Sequence, residues 1–263
     1  MQRPLFQPNG SPMRLGIAMS GSGKNARALI EHALRTVDSG YEVAAIFTDN
    51  KNEGNNATRI GAEYRIPVIV QDLHEYYSLS GTDAHDLEAR EGYFEDMMHV
   101  AKRLGINFFA LAGYMVVITD PFLKDFRDKI VNVHPSDIRP DGKPKYGGGH
   151  AVRDAVLAGE HTIASMTHLV TVQVDGGSPL LVSQPIPIDL PRGVTLDELK
   201  LPENRSVLDS IVNRRQELLK TYGDCEVFPK TMELMAKGRF TRDDAGVVCL
   251  DRKPIPTGHR LRA

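Results

Sequence analysis

Short apolar runs alternate with helix-periodic stretches through the first half of this chain, with turn residues between them. That alternation predicts an α/β fold, a Rossmann-like and mostly parallel twisted sheet with flanking helices. In the second half, two longer apolar runs flank a Gly-rich turn and helical patterns follow. The sheet is therefore expected to continue into an antiparallel hairpin and C-terminal helices. Residues 14–19 (RLGIAM) read as a buried strand and 25–37 as a helix closed by Gly40. Strand 42–49, helix 56–65 and the short strand 67–70 (PVIV) come next, and the polar stretch 71–84 reads as a surface loop. A long helix is expected over 85–104, with Tyr93, Met97, Val100, Ala101 and Leu104 on one face. Strands 107–113 (NFFALAG) and 129–135 (KIVNVHP) bracket a helix near 120–127. A Gly/Pro-rich loop (137–149) and a helix near 150–158 lead to strands 162–173 and 179–188, joined by VDGGS. A linker (189–203), helices 204–221 and 226–237, and a tail hairpin around DDAG complete the chain.

At 263 residues, 41% hydrophobic and 25% charged, the chain has ample material for a buried core. A net charge of −2 argues against a broad basic surface for nucleic acid. No apolar run approaches membrane-span length, and the N-terminal MQRPLFQPNGSPM lacks a signal-peptide core. Cys225 and Cys249 are the only cysteines and have no metal-ligand spacing. These features predict a cytoplasmic enzyme with reduced thiols and no metal.

SGSGKN (20–25) stands where the first strand meets the first helix. A nucleotide-hydrolysing P-loop requires Gly where this chain has Ala18 and Ser or Thr where it has Asn25. A Gly-rich turn at a helix N-terminus still presents free N–H groups to an anion, although a turn of this kind can also bind nothing. In NVHPS (132–136), Asn132 and His134 lie two apart and so share one face of a strand end. An amide donor and a group titrating near neutrality suit acyl transfer, while a lone strand-end histidine is more often structural. Asp175, in VDGG, is a natural turn former and also a carboxylate able to orient an imidazole. Asn, His and Asp together supply an oxyanion donor, an acid and a proton acceptor without a side-chain nucleophile. SGSGKN, AGYM, NVHPS and VDGG all follow strand segments, so one cleft at the carboxyl ends of the strands can gather them.

In this order, SGSGKN, LAGYM, NVHPS, KYGGGHAVRDA and THLVTVQVDGG resemble the motifs of the phosphoribosylglycinamide formyltransferase family. The resemblance runs from about residue 14 to 188 and more loosely to the end. It implies an N-terminal extension (1–13) and a single formyltransferase domain (14–263), with a ribonucleotide-binding half (14–135) and a folate-binding and catalytic half (136–263). It also implies formyl transfer from the co-substrate 10-formyltetrahydrofolate to the amine of glycinamide ribonucleotide, by a monomer or homodimer with no nucleic-acid or membrane partner.

Residue by residue, the resemblance makes Asn132 and protonated His134 the oxyanion stabilisers. Asp175 raises the His134 pKa and assists proton transfer. Gly23, Lys24 and Asn25 hold the ribonucleotide phosphate, and Asp224 stands where the family has a glutamate that contacts the glycinamide. The folate lies along Met115, Val116, Val117 and Ile118, with Asn132 alongside and Arg90 matching a folate-contacting arginine. His168 takes the place of the hairpin histidine, a position as suited to a core hydrogen bond as to function. Departures are Lys24 for a small polar residue, Val116 for a common arginine, the longer loop 137–145 (DIRPDGKPK), and VQVDGG for a more acidic sequence. A 10-formyltetrahydrofolate hydrolase shares the Asn, His and Asp set but is expected to carry a further N-terminal domain. A methionyl-tRNA formyltransferase would carry a basic C-terminal domain. A non-catalytic binding protein would be expected to lack Asn132, His134 or Asp175.

Overall fold

The computed structural model describes residues 2–83 and 86–262, with only the backbone of Leu87. The expected loop end at 84 and helix start at 85 lie outside them. The residues expected to form an extension join the fold. β1 (Arg3–Pro4) pairs antiparallel with Phe240–Arg242, and Leu5 and Phe6 pack against the core.

The strand expected at 14–19 is β2 (Met13–Met19), followed by α1 (Lys24–Arg35), β3 (Tyr41–Thr48), α2 (Ala57–Tyr64) and β4 (Val68–Val70). Strand side chains alternate between faces. In β2, Met13, Leu15, Ile17 and Met19 pack on one side of the sheet and Ala18 on the other. A Cβ at Gly16 would lie 2.6 Å from the Phe109 ring, so glycine there allows close packing of adjacent strands.

The stretch expected to be a loop contains α3 (Leu73–Ser80). Its polarity concealed a fully capped helix. The Asp72 side chain accepts from Glu75 N at one end, Gly81 takes the left-handed conformation at the other, and Tyr77 is buried. α4 (Leu87–Arg103), β5 (Phe108–Leu111), α5 (Phe122–Asp125) and β6 (Ile130–His134) then match the expected order, with α5 reduced to a single turn. Phe109 meets Phe122 and Phe126 edge-on, and Phe122 and Phe126 are tilted by 30° to each other, with ring centroids 4.7 to 4.9 Å apart.

After α6 (Ala151–Leu157), the long strands expected over 162–173 and 179–188 are each broken in two. They are β7 (Thr162–Ile163) with β8 (Met166–Leu169), and β9 (Pro179–Val182) with β10 (Ile186–Pro187). The break falls where Ser165 N donates to the Ser183 hydroxyl in addition to the backbone ladder. The linker contains α7 (Leu196–Leu199), with a Thr195–Glu198 capping box. α8 (Arg205–Leu219) and α9 (Cys225–Ala236) form one continuous rod through a π-helical turn, Lys220–Asp224. β11 (Phe240–Arg242), β12 (Val248–Leu250) and β13 (Lys253–Pro254) build a small sheet with β1. β14 (His259–Arg260) returns to the main sheet.

Among the described residues the main sheet has eight strands in the order β14-β9-β8-β6-β5-β2-β3-β4. From β6 to β4 neighbouring strands are parallel, and β8 runs antiparallel to both β6 and β9. The chain steps from β2 outward to β3 and β4, then returns to β5 and β6 on the other side. This reversal opens a crevice at the carboxyl ends of β2 and β5.

Candidate active site

β2 ends in the turn Ser20–Gly23, and α1 begins at Lys24. Gly23 has φ 73°, the left-handed region, and a Cβ there would collide with Ile60. Ser20 N donates to Gly113 O, and the Ser20 hydroxyl accepts from Met115 N at 3.0 Å, which ties the β2 turn to the segment after β5. The result is a cradle of about 240 Å³ lined by Ser20–Asn25 and Lys220, at the amino end of a twelve-residue helix. Its N–H groups and dipole suit an anion. Lys24 Nζ is held at 3.2 Å from Glu217 Oε2 and 2.8 Å from Thr221 Oγ1, and Glu217 also accepts from Lys220. The Asn25 side chain, expected on the phosphate, donates instead to Asp224 Oδ2 at 2.9 Å.

A second cavity of about 350 Å³ adjoins the cradle and shares Asn25, Gly113, Met115, Gln216 and Lys220 with it. Met115, Val116, Val117 and Ile118 form one wall and Val170, Thr171, Gln173 and Val174 another. Met115 is 72% exposed and Val174 59%, an apolar surface left open to water as a ligand site would leave it. Among the described residues Arg90 lines neither cavity; its Nε donates to the Tyr77 hydroxyl at 3.0 Å.

At the floor of this cleft β6 carries Asn132 and His134, β8 carries His168, and the turn before β9 carries Asp175. Asp175 has φ 52°, a strained conformation that aspartate tolerates. The turn closes tightly, because a Cβ at Gly177 would collide with the Leu169 carbonyl. The carboxylate lies between two imidazoles, with Oδ2 3.6 Å from His134 Nδ1 and Oδ1 3.6 Å from His168 Nε2. These are ion-pair distances rather than hydrogen bonds. Gly148 N donates to Oδ2 at 2.8 Å. Burial alone pushes the Asp175 carboxyl up, but His168, the His134 charge and the Gly148 N–H outweigh it and hold the group at about 2.

His134 Nε2 lies 2.7 Å from the Tyr146 carbonyl. A carbonyl only accepts, so the proton is assigned to Nε2, leaving Nδ1 as the basic atom facing Asp175. Asp175 favours the charged His134 ring, as expected, but it does not decide the balance. Burial of the ring is the largest influence and lowers the pKa below the usual histidine value, although Asp175 pulls the other way. By the same reasoning His168 Nδ1 donates to Leu169 O at 2.9 Å, and its Nε2 accepts from Asn132 Nδ2 at 3.2 Å. His168 therefore belongs to the site and fixes the Asn132 amide.

The lengthened loop contributes as well. It folds back through Arg139 N to Lys143 O and Lys145 N to Asp137 O, delivering the Tyr146 carbonyl to His134 and Gly148 N to Asp175. Sequence reasoning missed both backbone groups; KYGGGH was the available signal. Asp224, on the π turn, is buried and accepts from Ser165 Oγ at 2.5 Å as well as from Asn25. Burial raises its pKa, with the two donors working against that rise. The adjacent Cys225 thiol is pushed up to about 11, chiefly by burial and next by Asp224, so it is no thiolate nucleophile.

Among the described residues no serine or cysteine lines the cleft, and the arrangement around His134 suits a nucleophile that arrives with a substrate. An imidazole with a free basic atom, a carboxylate behind it and an amide donor beside it define an α/β acyl-transfer enzyme. The chain belongs to the formyl transferase family, whose family model matches residues 13–200. It is 29% identical over 213 residues to the phosphoribosylglycinamide formyltransferase of Mycobacterium tuberculosis strain H37Rv, covering 80% of this chain and 89% of that protein. It is 27% identical over 242 residues to the trifunctional purine biosynthetic protein adenosine-3 of Drosophila pseudoobscura pseudoobscura, covering 92% of this chain but spanning only 15% of that protein. The structure of the phosphoribosylglycinamide formyltransferase of Coxiella burnetii superposes with a TM-score of 0.68 at 20% identity, covering 96% of this chain and 100% of that one, and so shares the fold.

Proposed function

We propose that this chain transfers the formyl group of 10-formyltetrahydrofolate, a co-substrate, to the amine of glycinamide ribonucleotide. The observation that carries the reading is the junction of two unlike cavities. A phosphate-type cradle at a helix N-terminus opens directly into an apolar cleft floored by Asn132, His134 and Asp175. An acceptor anchored by its phosphate in the first would present its amine in the second. The wall Met115–Ile118 suits a flat aromatic donor, and the family membership supports a formyl donor.

The chemistry follows from protonation states. Asp175 is ionised at any working pH, and resting His134 is neutral near pH 7. As the acceptor amine attacks the formyl carbon, its nitrogen gains positive charge, and His134 Nδ1 takes the proton. The Asp175 carboxylate, 3.6 Å away, stabilises the imidazolium so formed. The same proton then leaves with the departing nitrogen of the donor as its bond to the formyl carbon breaks. The Asn132 amide has two hydrogens; with one on His168, the other is available to the oxyanion of the tetrahedral adduct. A donor of this kind contributes roughly 3 to 4 kcal/mol to a transition state. Mass spectrometry of the acceptor after incubation with both substrates tests the reading. A gain of one formyl group supports it, and loss of donor with an unchanged acceptor contradicts it.

A further inference from the structure

The carboxyl-terminal strand meets the lengthened loop. β14 lies parallel beside β9 with Arg260 opposite Val182, and Leu261 N donates to Val182 O at 2.9 Å. From there the Arg260 guanidinium reaches two elements at once. Its Nη1 donates to Ser183 O at 2.7 Å, and its Nη2 donates to Asp137 Oδ1 at 2.5 Å. The backbones are close as well. A Cβ at Gly142 would lie 2.5 Å from the Pro256 carbonyl oxygen, and one at Gly258 would lie 3.2 Å from the Ile138 side chain.

Asp137 joins this contact to the floor of the cleft. Its Oδ1 also accepts from Ile138 N at 2.8 Å, and its carbonyl accepts from Ser136 Oγ at 2.9 Å and Lys145 N at 2.7 Å. The fully buried Ser136 hydroxyl accepts in turn from Tyr146 N at 2.9 Å. These bonds present the Tyr146 carbonyl to His134 Nε2 and, two residues on, Gly148 N to Asp175. We propose that Arg260 is a positioning residue. By holding Asp137 it fixes the loop, so that the Tyr146 carbonyl keeps the ring proton of His134 on Nε2 and leaves Nδ1 basic. The bond made by one ring nitrogen decides which of them carries the proton. With the carbonyl displaced, the Asp175 carboxylate is the stronger acceptor and draws that proton to Nδ1. An exposed ion pair by itself contributes little to stability, so the effect of Arg260 is on the base and not on the fold. The inference rests on the proposed function only for the role of His134 as base.

Two measurements on the full chain test it. One is the His134 tautomer, read by proton–nitrogen correlation NMR above the pKa of the ring and without substrate; the other is kcat and KM with both substrates. Arg260→Ala is expected to turn a ring protonated at Nε2 into a mixture with the Nδ1–H form. It should lower kcat by about 5-fold or more and change each KM less than about 2-fold. Asp137→Asn removes the charge, keeps an acceptor for Ile138 N, and is expected to act in the same way. The double variant should then lose about as much as either single one, since both break one contact. Arg260→Lys keeps the cation and should restore the Nε2–H form. An unmoved tautomer in Arg260→Ala overturns the inference whatever happens to kcat, as do additive losses in the double variant. A moved tautomer, in a protein whose wild type formylates no acceptor, sinks the proposed function and leaves the positioning role standing. Thermal unfolding reports which variants fold, and Asp137→Asn keeps the test decisive if Arg260→Ala does not.

Discussion

At the residue scale, His134 shows two effects opposing each other. Proximity to Asp175 favours the imidazolium, but burial of the ring wins and lowers the pKa. A base that must be neutral to act then gives a rate that falls as pH drops through its pKa, with the limb below the ordinary histidine value of 6.5. Asp175→Asn removes the anion that favours the charged ring, so the acid limb should move to still lower pH while maximal turnover falls at least about 100-fold. The pH profile of kcat and an imidazole titration by NMR check both parts, and an unmoved His134 titration would break the pair. Lys24 is a different case. It lines the cradle but is held by Glu217 and Thr221, which a phosphate must displace. Lys24→Ala is expected to raise the KM for the ribonucleotide by an amount worth about 1 kcal/mol and to leave the KM for the folate unchanged.

At the element scale, the π turn and the lengthened loop supply groups on which the site depends. Gly223 packs so closely on Ser165 that a Cβ would collide with its hydroxyl. Gly223→Ala is therefore expected to cost about 1 to 3 kcal/mol of stability and to weaken ribonucleotide binding more than folate binding, because Ser165 moves off Asp224. Chemical denaturation and the two KM values separate these effects. The loop is anchored by Tyr146, whose hydroxyl donates to Glu160 at 2.8 Å. Tyr146→Phe should lose about 1 kcal/mol of stability and a few-fold in kcat, since the anchor places the carbonyl on His134. The loop was legible in the sequence as a lengthened Gly/Pro-rich stretch, but the backbone groups it delivers and the π turn were not. The pattern of apolar residues gave the order of β2 to β6, because their one-sided and two-sided burial is written in hydrophobic spacing. It hid α3, whose caps matter more than its weak apolar face, and it could not show that two helices join through a π turn. Asn132, His134 and Asp175 were legible from local motifs that fold to strand ends and a hairpin turn. The engagement of Asn25 with Asp224 was not, since 199 residues separate them. The balance of burial and charge at His134 likewise exists only in the folded chain.

At the scale of the whole molecule, the reversal of strand order between β2 and β5 places the cradle beside the β6–β8 ladder that carries Asn132, His134 and His168. The first residues support this frame from a distance, through β1 on β11 and through Leu5 and Phe6 on the core. Deleting residues 2–6 should cost about 2 to 4 kcal/mol from lost apolar burial, read by thermal unfolding, with kcat changed less than about 2-fold. Among the described residues no helix is long and apolar enough to cross a membrane. The central claim concerns the frame and the site together: an amine delivered by a phosphate-anchored acceptor, and not water, takes the formyl group. The most direct measurement is the rate of formyl-folate consumption by the wild-type chain with and without glycinamide ribonucleotide. The account predicts consumption at least about 100-fold faster with the acceptor present, with one formylated product formed per donor consumed. Equal consumption in its absence, releasing formate, would contradict it.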